Sequence, residues 1–108
     1  MSARRKTLSL VGLRFNNGAT SVFVRTNEPV SYHVSERPNG LVVTIENTRI
    51  RRRNDTRPLD ARFFDSPVAK VQAIQNRGDV EVNIDLKTHV AYQATQTGPE
   101  VQLSFNHS

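Results

Sequence analysis

A regular alternation of apolar and polar residues limits the possible folds of this chain more than any other feature. The alternating residues are, in order, Val80, Glu81, Val82, Asn83, Ile84, Asp85 and Leu86. Because successive side chains of a β-strand point to opposite faces, this period of two predicts a half-buried strand. Thr88 and His89 interrupt the pattern, and it restarts at Val90, Tyr92 and Ala94. The interruption indicates a short turn between two antiparallel strands.

The same pattern occurs sixty residues earlier, which indicates an internal repeat. Residues 71–107 align with residues 11–47 without an insertion. The alignment includes turn residues, since Asn76 and Gly78 fall on Asn16 and Gly18, which argues against chance agreement between two β-rich halves. The matched apolar pairs are Val71 with Val11, Val82 with Val22, Ile84 with Val24, Val90 with Val30, Tyr92 with Tyr32, Val101 with Leu41, Leu103 with Val43, and Phe105 with Ile45.

Eight short strands separated by turn residues predict an all-β fold, either a sandwich or a flattened barrel. One copy of the repeat would form a four-stranded sheet with a single apolar face, and that face needs a partner. We therefore expect a sandwich of two similar small sheets, one from each copy, packed face to face. The predicted core contains Val11, Leu13, Val22, Val24, Val30, Tyr32, Leu41, Val43, Ile45, Val71, Val82, Ile84, Leu86, Val90, Tyr92, Val101, Leu103 and Phe105.

The first strand contains an irregularity, because its apolar residues change parity between Leu8 and Leu10 on one side and Val11 and Leu13 on the other. An extra residue in one strand produces such a change, and glycine often marks the place. We therefore expect a β-bulge at Gly12.

Residues 48–69 have no counterpart in the repeat and form the connection between the two copies. Adjacent Phe63 and Phe64 cannot both follow one buried face, yet aromatic side chains rarely stay fully exposed. We expect one of them, together with Leu59, to pack against the sandwich. The expected receiving surface is the outer face of the first copy, at Phe23 and Val42.

Positive charge is concentrated in the first half of the chain. The net charge is +5, made up of +7 for residues 1–57 and −2 for residues 58–108. Most of the excess lies in two clusters, one over residues 4–6 and one at Arg49, Arg51, Arg52, Arg53 and Arg57. A basic surface attracts polyanions of several kinds, so it indicates a class of partner rather than one partner.

Nothing in the sequence predicts an enzyme. His33, His89 and His107 show no metal-ligand spacing and are interpreted as solvated surface residues. The carboxylates are scattered over turns and outward strand positions, and neither a nucleophile elbow nor a glycine-rich phosphate loop is present. The chain has no cysteine, so it offers no disulfide or thiolate ligand. We predict no catalytic residue, no metal and no cofactor.

Three segments resemble the AMIN domain family: Gly18–Val34, Pro38–Thr48, and Pro58–Val68 leading into Val71–Ile74. The resemblance covers about residues 8–106. It implies a periplasmic, non-catalytic β-sandwich on the N-terminal side of cell-wall amidases and type IV pilus secretins, where it binds peptidoglycan. Members often carry Arg where this chain has Ser21, and favour Arg-Leu-Val-x-Asp where it has Gly40–Thr44, so no individual glycan-binding residue is carried over.

The predicted ligand-binding residues are all arginines, because guanidinium groups pair in a two-pronged way with carboxylates and phosphates such as those of cell-wall polymers. The alternative is that the basic connection is a solvated loop and that the strand arginines are ordinary surface residues. The predicted set is Arg14, Arg25, Arg49, Arg51, Arg52, Arg53 and Arg57.

Peptidoglycan is the predicted partner, and envelope or pilus-machinery proteins are further candidates that would dock on a sheet edge or at Phe23 and Val42. The rival class is nucleic-acid binding. It is disfavoured because Tyr32 and Tyr92 fall on the core side and leave only Phe23 for base stacking.

We expect a basic tail over residues 1–7 and one domain over residues 8–107. No apolar run approaches the length of about eighteen residues that a membrane helix needs. If the parent protein is exported, we expect the chain to be an excised domain without its signal peptide. The expected parent is an outer-membrane-associated secretin, with an N-acetylmuramoyl-L-alanine amidase as the alternative.

Overall fold

The computed structural model describes residues 6–16, 19–50, 58–62, 66–88 and 90–106. These ranges form ten β-strands and contain no helix. The strands are β1 (Lys6–Asn16), β2 (Ala19–Thr26), β3 (Tyr32–Arg37), β4 (Gly40–Ile45), β5 (Thr48–Ile50), β6 (Leu59–Asp60), β7 (Val68–Asn76), β8 (Asp79–Leu86), β9 (Tyr92–Thr97) and β10 (Glu100–Asn106).

The strands form two five-stranded sheets that pack as a sandwich, which confirms the predicted fold class. The front sheet has the strand order β5-β1-β2-β10-β9, and the back sheet has the order β3-β4-β8-β7-β6. One expectation was wrong, because neither copy of the repeat forms a sheet by itself. Each sheet joins one hairpin from each copy, through the pairs β2–β10 and β4–β8. This exchange gives all four of these strands neighbours on both sides, so their backbone groups are paired.

The repeat is visible in the strand registers. Arg14 lies opposite Ser21 in the first hairpin, and Ile74 lies opposite Glu81 in the second, sixty residues later. The bulges match as well, since the register shifts between Leu8 and Leu10 and again between residues 68 and 70. The bulge expected at Gly12 was therefore placed wrongly. It lies at Ser9, so Leu8 points into the core while Leu10 points outward.

All residues of the predicted core belong to the buried cluster between the sheets or pack against it. The prediction omitted Leu8, Val68, Ala73 and Val80, which the structure also buries. Leu8 and Val68 are equivalent in the repeat and lie beside the two bulges, where alternation does not assign a face. The counterpart of Val80 is Thr20, a polar residue that is also buried and donates a hydrogen bond to Ser66 at 2.9 Å.

The connection between the copies supplies two edge strands, β5 parallel to β1 and β6 antiparallel to β7. Leu59 packs against the core from β6, as expected. Phe63 and Phe64 lie outside the described residues. The receiving surface expected at Phe23 and Val42 is divided between the two sheets, since Phe23 lies in the front sheet and Val42 in the back sheet. Both occupy outward positions by alternation, and Val42 is nevertheless buried.

Candidate ligand-binding face

The outward surface of the front sheet, here called the front face, brings together three of the predicted arginines. Val22 and Val24 are buried in β2, so alternation turns Phe23 and Arg25 outward. The register then places Gly12 beside Phe23 and Leu10 beside Arg25 on the same face. Regular pairing holds these side chains on rigid strands, which favours them as a binding surface.

The centre of the front face is a stacked pair, Arg14 and Phe23. The Arg14 guanidinium carbon lies 4.7 Å from the centroid of the Phe23 ring. A cation over an aromatic face at this distance contributes about 0.5–1 kcal/mol at an exposed site. The stack orders the arginine while leaving its side chain exposed to a ligand.

Gly12 makes this stack possible. Phe23 crosses β1 directly over Gly12, and a Cβ atom at residue 12 would lie 2.4 Å from the Cζ atom of Phe23. Any side chain larger than hydrogen would therefore move the ring. Glycine inside a strand often marks either a bulge or a place where another group approaches the backbone closely. Gly12 is of the second kind, because it allows the Phe23 ring to approach.

A polar network continues the front face on the side of Phe23 that faces β10. Gln102 lies opposite Phe23, and its Nε2 atom donates to Ser21 Oγ at 3.2 Å and approaches Ser104 Oγ at 3.4 Å. The two hydroxyl groups are 3.3 Å apart. These small side chains keep the surface beside the ring low and offer amide and hydroxyl groups for hydrogen bonds.

Arg25 is already paired within the domain. Its Nη2 atom donates to Glu100 Oε1 at 2.9 Å across the β2–β10 pair. The carboxylate neutralises part of the positive charge, but the Arg25 side chain stays 49% exposed. Such an exposed pair contributes little to stability, about 0–1 kcal/mol, so a ligand carboxylate can compete for the guanidinium.

Arg49 lies at the edge of the front face on β5, opposite Thr7 of β1. The side chain of Gln75 holds the backbone on both sides of it. Ile50 N–H donates to Gln75 Oε1 at 2.7 Å, and Gln75 Nε2 donates to the Thr48 carbonyl at 3.1 Å. Gln75 thus adds two hydrogen bonds to a strand of only three residues, which otherwise pairs along one side with β1.

The remaining predicted ligand residues, Arg51, Arg52, Arg53 and Arg57, lie outside the described residues. Of the basic cluster in the connection, the structure describes Arg49 alone. The chain of the connection leaves the front sheet at Ile50, next to the front-face edge that carries Arg49.

The two outer faces of the sandwich have opposite charge. On the described part of the front face, Arg14, Arg25 and Arg49 outnumber the single carboxylate of Glu100. The outward surface of the back sheet, here called the back face, is acidic. By strand alternation it carries Asp60, Asp79, Glu81 and Asp85 against Arg37 and Lys70, and Arg62 pairs with Asp60, so four carboxylates face three cations. An anionic polymer is therefore attracted to the front face.

The acidic back face contains the one clear electrostatic perturbation among the described residues. Arg62 donates from Nε and Nη2 to both carboxylate oxygens of Asp60, at 3.0 Å and 2.9 Å. These side-chain hydrogen bonds, followed by one from the Arg62 backbone, lower the pKa of Asp60 to about 2. They raise the pKa of Arg62 in turn. Asp60 therefore stays ionised at neutral pH and is satisfied by its own neighbour.

The described residues contain no group of three or more His, Asp or Glu side chains that could hold a metal ion. His33 lies on an exposed strand, with its Nδ1 atom 3.5 Å from Glu46 Oε2. His89 and His107 lie outside the described residues. The front face offers a flat aromatic ring, cations and amide donors, which is a set of groups for binding rather than for catalysis.

Three parts of this face were not predicted from the sequence: Gly12, Ser21 with Ser104, and Gln102. The signal that could have identified Gly12 is the difference between the two copies. At the equivalent positions the back face has Gln72 for Gly12, Asn83 for Phe23 and Ile74 for Arg14. Only the front face therefore combines a glycine with an outward aromatic residue and an arginine.

The chain matches the family model of the AMIN domain over residues 12–105. No curated protein matches the chain. Within the described ranges, no helix is long and apolar enough to cross a membrane.

Proposed function

Because the chain belongs to the AMIN family, we propose that it is a peptidoglycan-binding domain that anchors an envelope protein to the cell wall through its front face. AMIN domains are non-catalytic, cell-wall-targeting domains of amidases and secretins, and they occur in periplasmic proteins. The family match covers nearly the whole chain. Cell-wall targeting is the property of the family. The binding role of the front face, the residues that bind and the parent protein are what we propose.

The observation that carries the proposal is the Arg14–Phe23 stack on the front face. A sugar ring can lie against the exposed part of the Phe23 side chain, since aromatic rings are large apolar surfaces with a fixed shape. Along the strands, Arg14 and Arg25 are the next outward residues on the two sides of Phe23. Their guanidinium groups can bind carboxylates of the muramic acid or of the stem peptide. Gln102 and its serine neighbours supply hydrogen bonds to hydroxyl and N-acetyl groups.

Nucleic-acid binding fits the same face less well. Proteins that bind single strands place a series of aromatic side chains on the sheet surface, one for each stacked base. Among the described residues, Phe23 is the aromatic side chain at the middle of the front face, while Tyr32 and Tyr92 pack against the core. Phe15 is 43% exposed, but it lies near the end of β1 and opposite the buried Thr20, on the inward side of the strand. A single ring suits one sugar unit of a polymer better than a run of bases.

For the parent protein we propose a type IV pilus secretin in the outer membrane, with an amidase as the alternative. The front face is open and exposed, so one domain would bind one wall segment weakly. A ring-forming secretin presents many copies, and multivalent attachment multiplies weak contacts. An envelope or pilus-machinery protein can dock in the same assembly. The sequence that adjoins this chain in its gene distinguishes a secretin segment from an amidase segment.

Co-sedimentation with insoluble peptidoglycan tests the binding function. Sacculi stripped of nucleic acid are mixed with the chain over a series of salt concentrations. We expect retention at about 0.3 M salt, where exposed charge pairs are largely screened. The Arg14→Gln/Arg25→Gln variant should bind about 5- to 150-fold more weakly, if each of the two lost contacts is worth about 0.5–1.5 kcal/mol.

The matched control is Arg37→Gln/Lys70→Gln, which removes two positive charges from the back face. It should bind like the unchanged chain. An equal loss in both variants would mean that overall charge drives the interaction. Absence of sedimentation at low salt would rule out wall binding by this chain and favour a protein-docking module.

A further inference from the structure

Within the described ranges, the β9 strand is an open edge of the front sheet and lacks the charges, prolines and bulges that usually prevent pairing. The described sheets end in four border strands, β5 and β9 in front and β3 and β6 behind. Short edges offer little to pair with, and β5 and β6 have three and two residues. The β9 strand has six residues, and its pairing with β10 is regular, without a bulge. Its sequence, Tyr-Gln-Ala-Thr-Gln-Thr, contains neither charge nor proline.

The repeat provides an internal comparison for this edge. The β3 strand occupies the same place in the back sheet, has the same length and shows the same burial pattern. It is protected by ionisable side chains, since charges on an edge discourage pairing. At every one of these positions β9 is neutral: His33 corresponds to Gln93, Glu36 to Gln96, and Arg37 to Thr97. The β9 edge therefore keeps hydrogen-bonding side chains and lacks the charges.

We propose that β9 is a self-association edge, at which the β9 strand of a second copy of this chain pairs in antiparallel fashion. Pairing joins the two front sheets into one continuous sheet of ten strands, five from each copy. Opposite residues of antiparallel strands point to the same face of the sheet. In a two-fold pair of β9 strands, outward residues (Gln93, Thr95 and Thr97) must therefore lie opposite outward residues. With the axis at Thr95, this residue lies opposite its own copy and Gln93 lies opposite Thr97.

Two features support a second copy as the occupant. The chain carries a net charge of +5, so two molecules repel each other wherever their cationic faces meet. The β9 strand lies at the opposite border of the front sheet from β5, which carries Arg49. Because β9 is neutral, two copies can approach each other there without this repulsion. Cross-strand Thr–Thr pairs are favourable in antiparallel sheets, and the Thr95 register creates one. A surface that is neutral and self-complementary fits the isologous contact of a two-fold dimer.

The edge is also held in place before pairing. Gln96 points inward and its Nε2 atom donates to the Val30 carbonyl at 2.6 Å, which ties β9 to the chain that leads into the back sheet. A fixed strand loses less conformational entropy when it pairs. In the dimer the two-fold axis is perpendicular to the sheet, so both Arg14–Phe23 stacks face the same side and can contact one polymer surface.

Sedimentation equilibrium of the 108-residue chain tests the proposal. A contact through one strand buries a small area, so we expect reversible dimerisation with a dissociation constant between about 1 μM and 1 mM. The Gln93→Lys/Thr95→Lys variant places like charges opposite each other and should raise this constant at least about ten-fold. The control, His33→Lys/Ser35→Lys, changes the equivalent positions of β3 and should dimerise like the unchanged chain. Thermal unfolding of both variants verifies that they are folded.

A single cysteine provides a second readout, because the chain has none of its own. Under mild oxidation Thr95→Cys should form a disulfide-linked dimer in the proposed register, whereas Ser35→Cys on β3 should not. A chain that remains monomeric at about 1 mM, or a dimer that survives in Gln93→Lys/Thr95→Lys, would overturn the proposal. The first result would leave the β9 edge to a strand from a different protein.

Discussion

The guanidinium group of Arg14 lies 4.7 Å from the centroid of the Phe23 ring, although the two residues are on neighbouring strands and are not directly opposite each other. The contact is diagonal. Phe23 is paired with Gly12, and Arg14 is the next outward residue of the same strand. The ring can lie across β1 only because residue 12 has no side chain, so three residues together determine the shape of the front face.

The first prediction concerns Gly12→Ala. The new Cβ atom would meet the far end of the Phe23 side chain, which can rotate away, so we expect a loss of stability of only about 1 kcal/mol. Wall binding should fall more, because both the ring and the stacked Arg14 lose their positions. Gln72→Ala, at the equivalent position of the back face, is the control. The interpretation fails if Gly12→Ala binds sacculi as well as the unchanged chain does.

The second prediction concerns Gly40→Ala, where the obstacle is backbone. A Cβ atom at residue 40 would lie 1.9 Å from the carbonyl oxygen of Ile84, an atom of the central β8 strand. That strand cannot rotate away, so the free energy of unfolding should fall by about 2–4 kcal/mol in urea denaturation. At Gly98 a Cβ atom meets nothing within 4 Å, and only the positive φ of 57° opposes a substitution. Gly98→Ala should therefore cost less, about 1 kcal/mol. Equal losses in the two variants would contradict the close approach at Gly40.

The third prediction concerns the pKa of Asp60. NMR titration should give a value of about 2 against the ordinary value of 3.8, chiefly because of the side-chain hydrogen bonds from Arg62. Since the pKa is lower in the folded chain, ionised Asp60 stabilises the fold above the unfolded value, and this contribution disappears as the pH falls through about 2. Arg62→Ala should remove most of the shift and return the pKa of Asp60 toward its ordinary value, whereas Lys70→Ala should change the pKa little. A titration near the ordinary value in the unchanged chain would show that the ion pair does not persist in solution.

The fourth prediction concerns Gln75, which holds β5 through Thr48 and Ile50. Gln75→Ala removes the acceptor of the Ile50 amide, so that amide should exchange its hydrogen faster, by about ten-fold for a lost bond of about 1.4 kcal/mol. Global stability should change much less, because β5 is a short edge strand. Gln93→Ala, an exposed glutamine of β9, is the control and should leave β5 unchanged. Equal exchange at Ile50 in both variants would mean that backbone pairing with β1 alone holds the strand.

Much of the fold followed from alternation, which assigns each residue to a face. Val22 and Val24 were correctly placed in the core and Arg25 outside, because parity decides both. Alternation does not decide which strands are neighbours. Pairing β2 with β10 or with a strand of its own copy buries the same faces, so the exchange of hairpins between the copies was not predictable from pattern alone.

The site was predictable to the same extent. Arg14 and Arg25 were identified as outward strand residues, and the structure places them on one face with Arg49. The Arg14–Phe23 stack and the role of Gly12 depend on the register of β1 against β2, and the parity change in β1 indicated a bulge without locating it at Ser9. The other arginines of the connection, Arg51, Arg52, Arg53 and Arg57, lie outside the described residues and remain predicted ligands.

Titration of the labelled chain with soluble peptidoglycan fragments, followed by amide NMR shifts, tests the central claim most directly. If the front face binds the wall, the largest shifts should occur at Gly12, Arg14, Phe23 and Gln102, while Gln72, Ile74 and Asn83, the equivalent residues of the first three on the back face, should stay unchanged. Shifts confined to the back face, or equal on both faces, would contradict the assignment of binding to the front face.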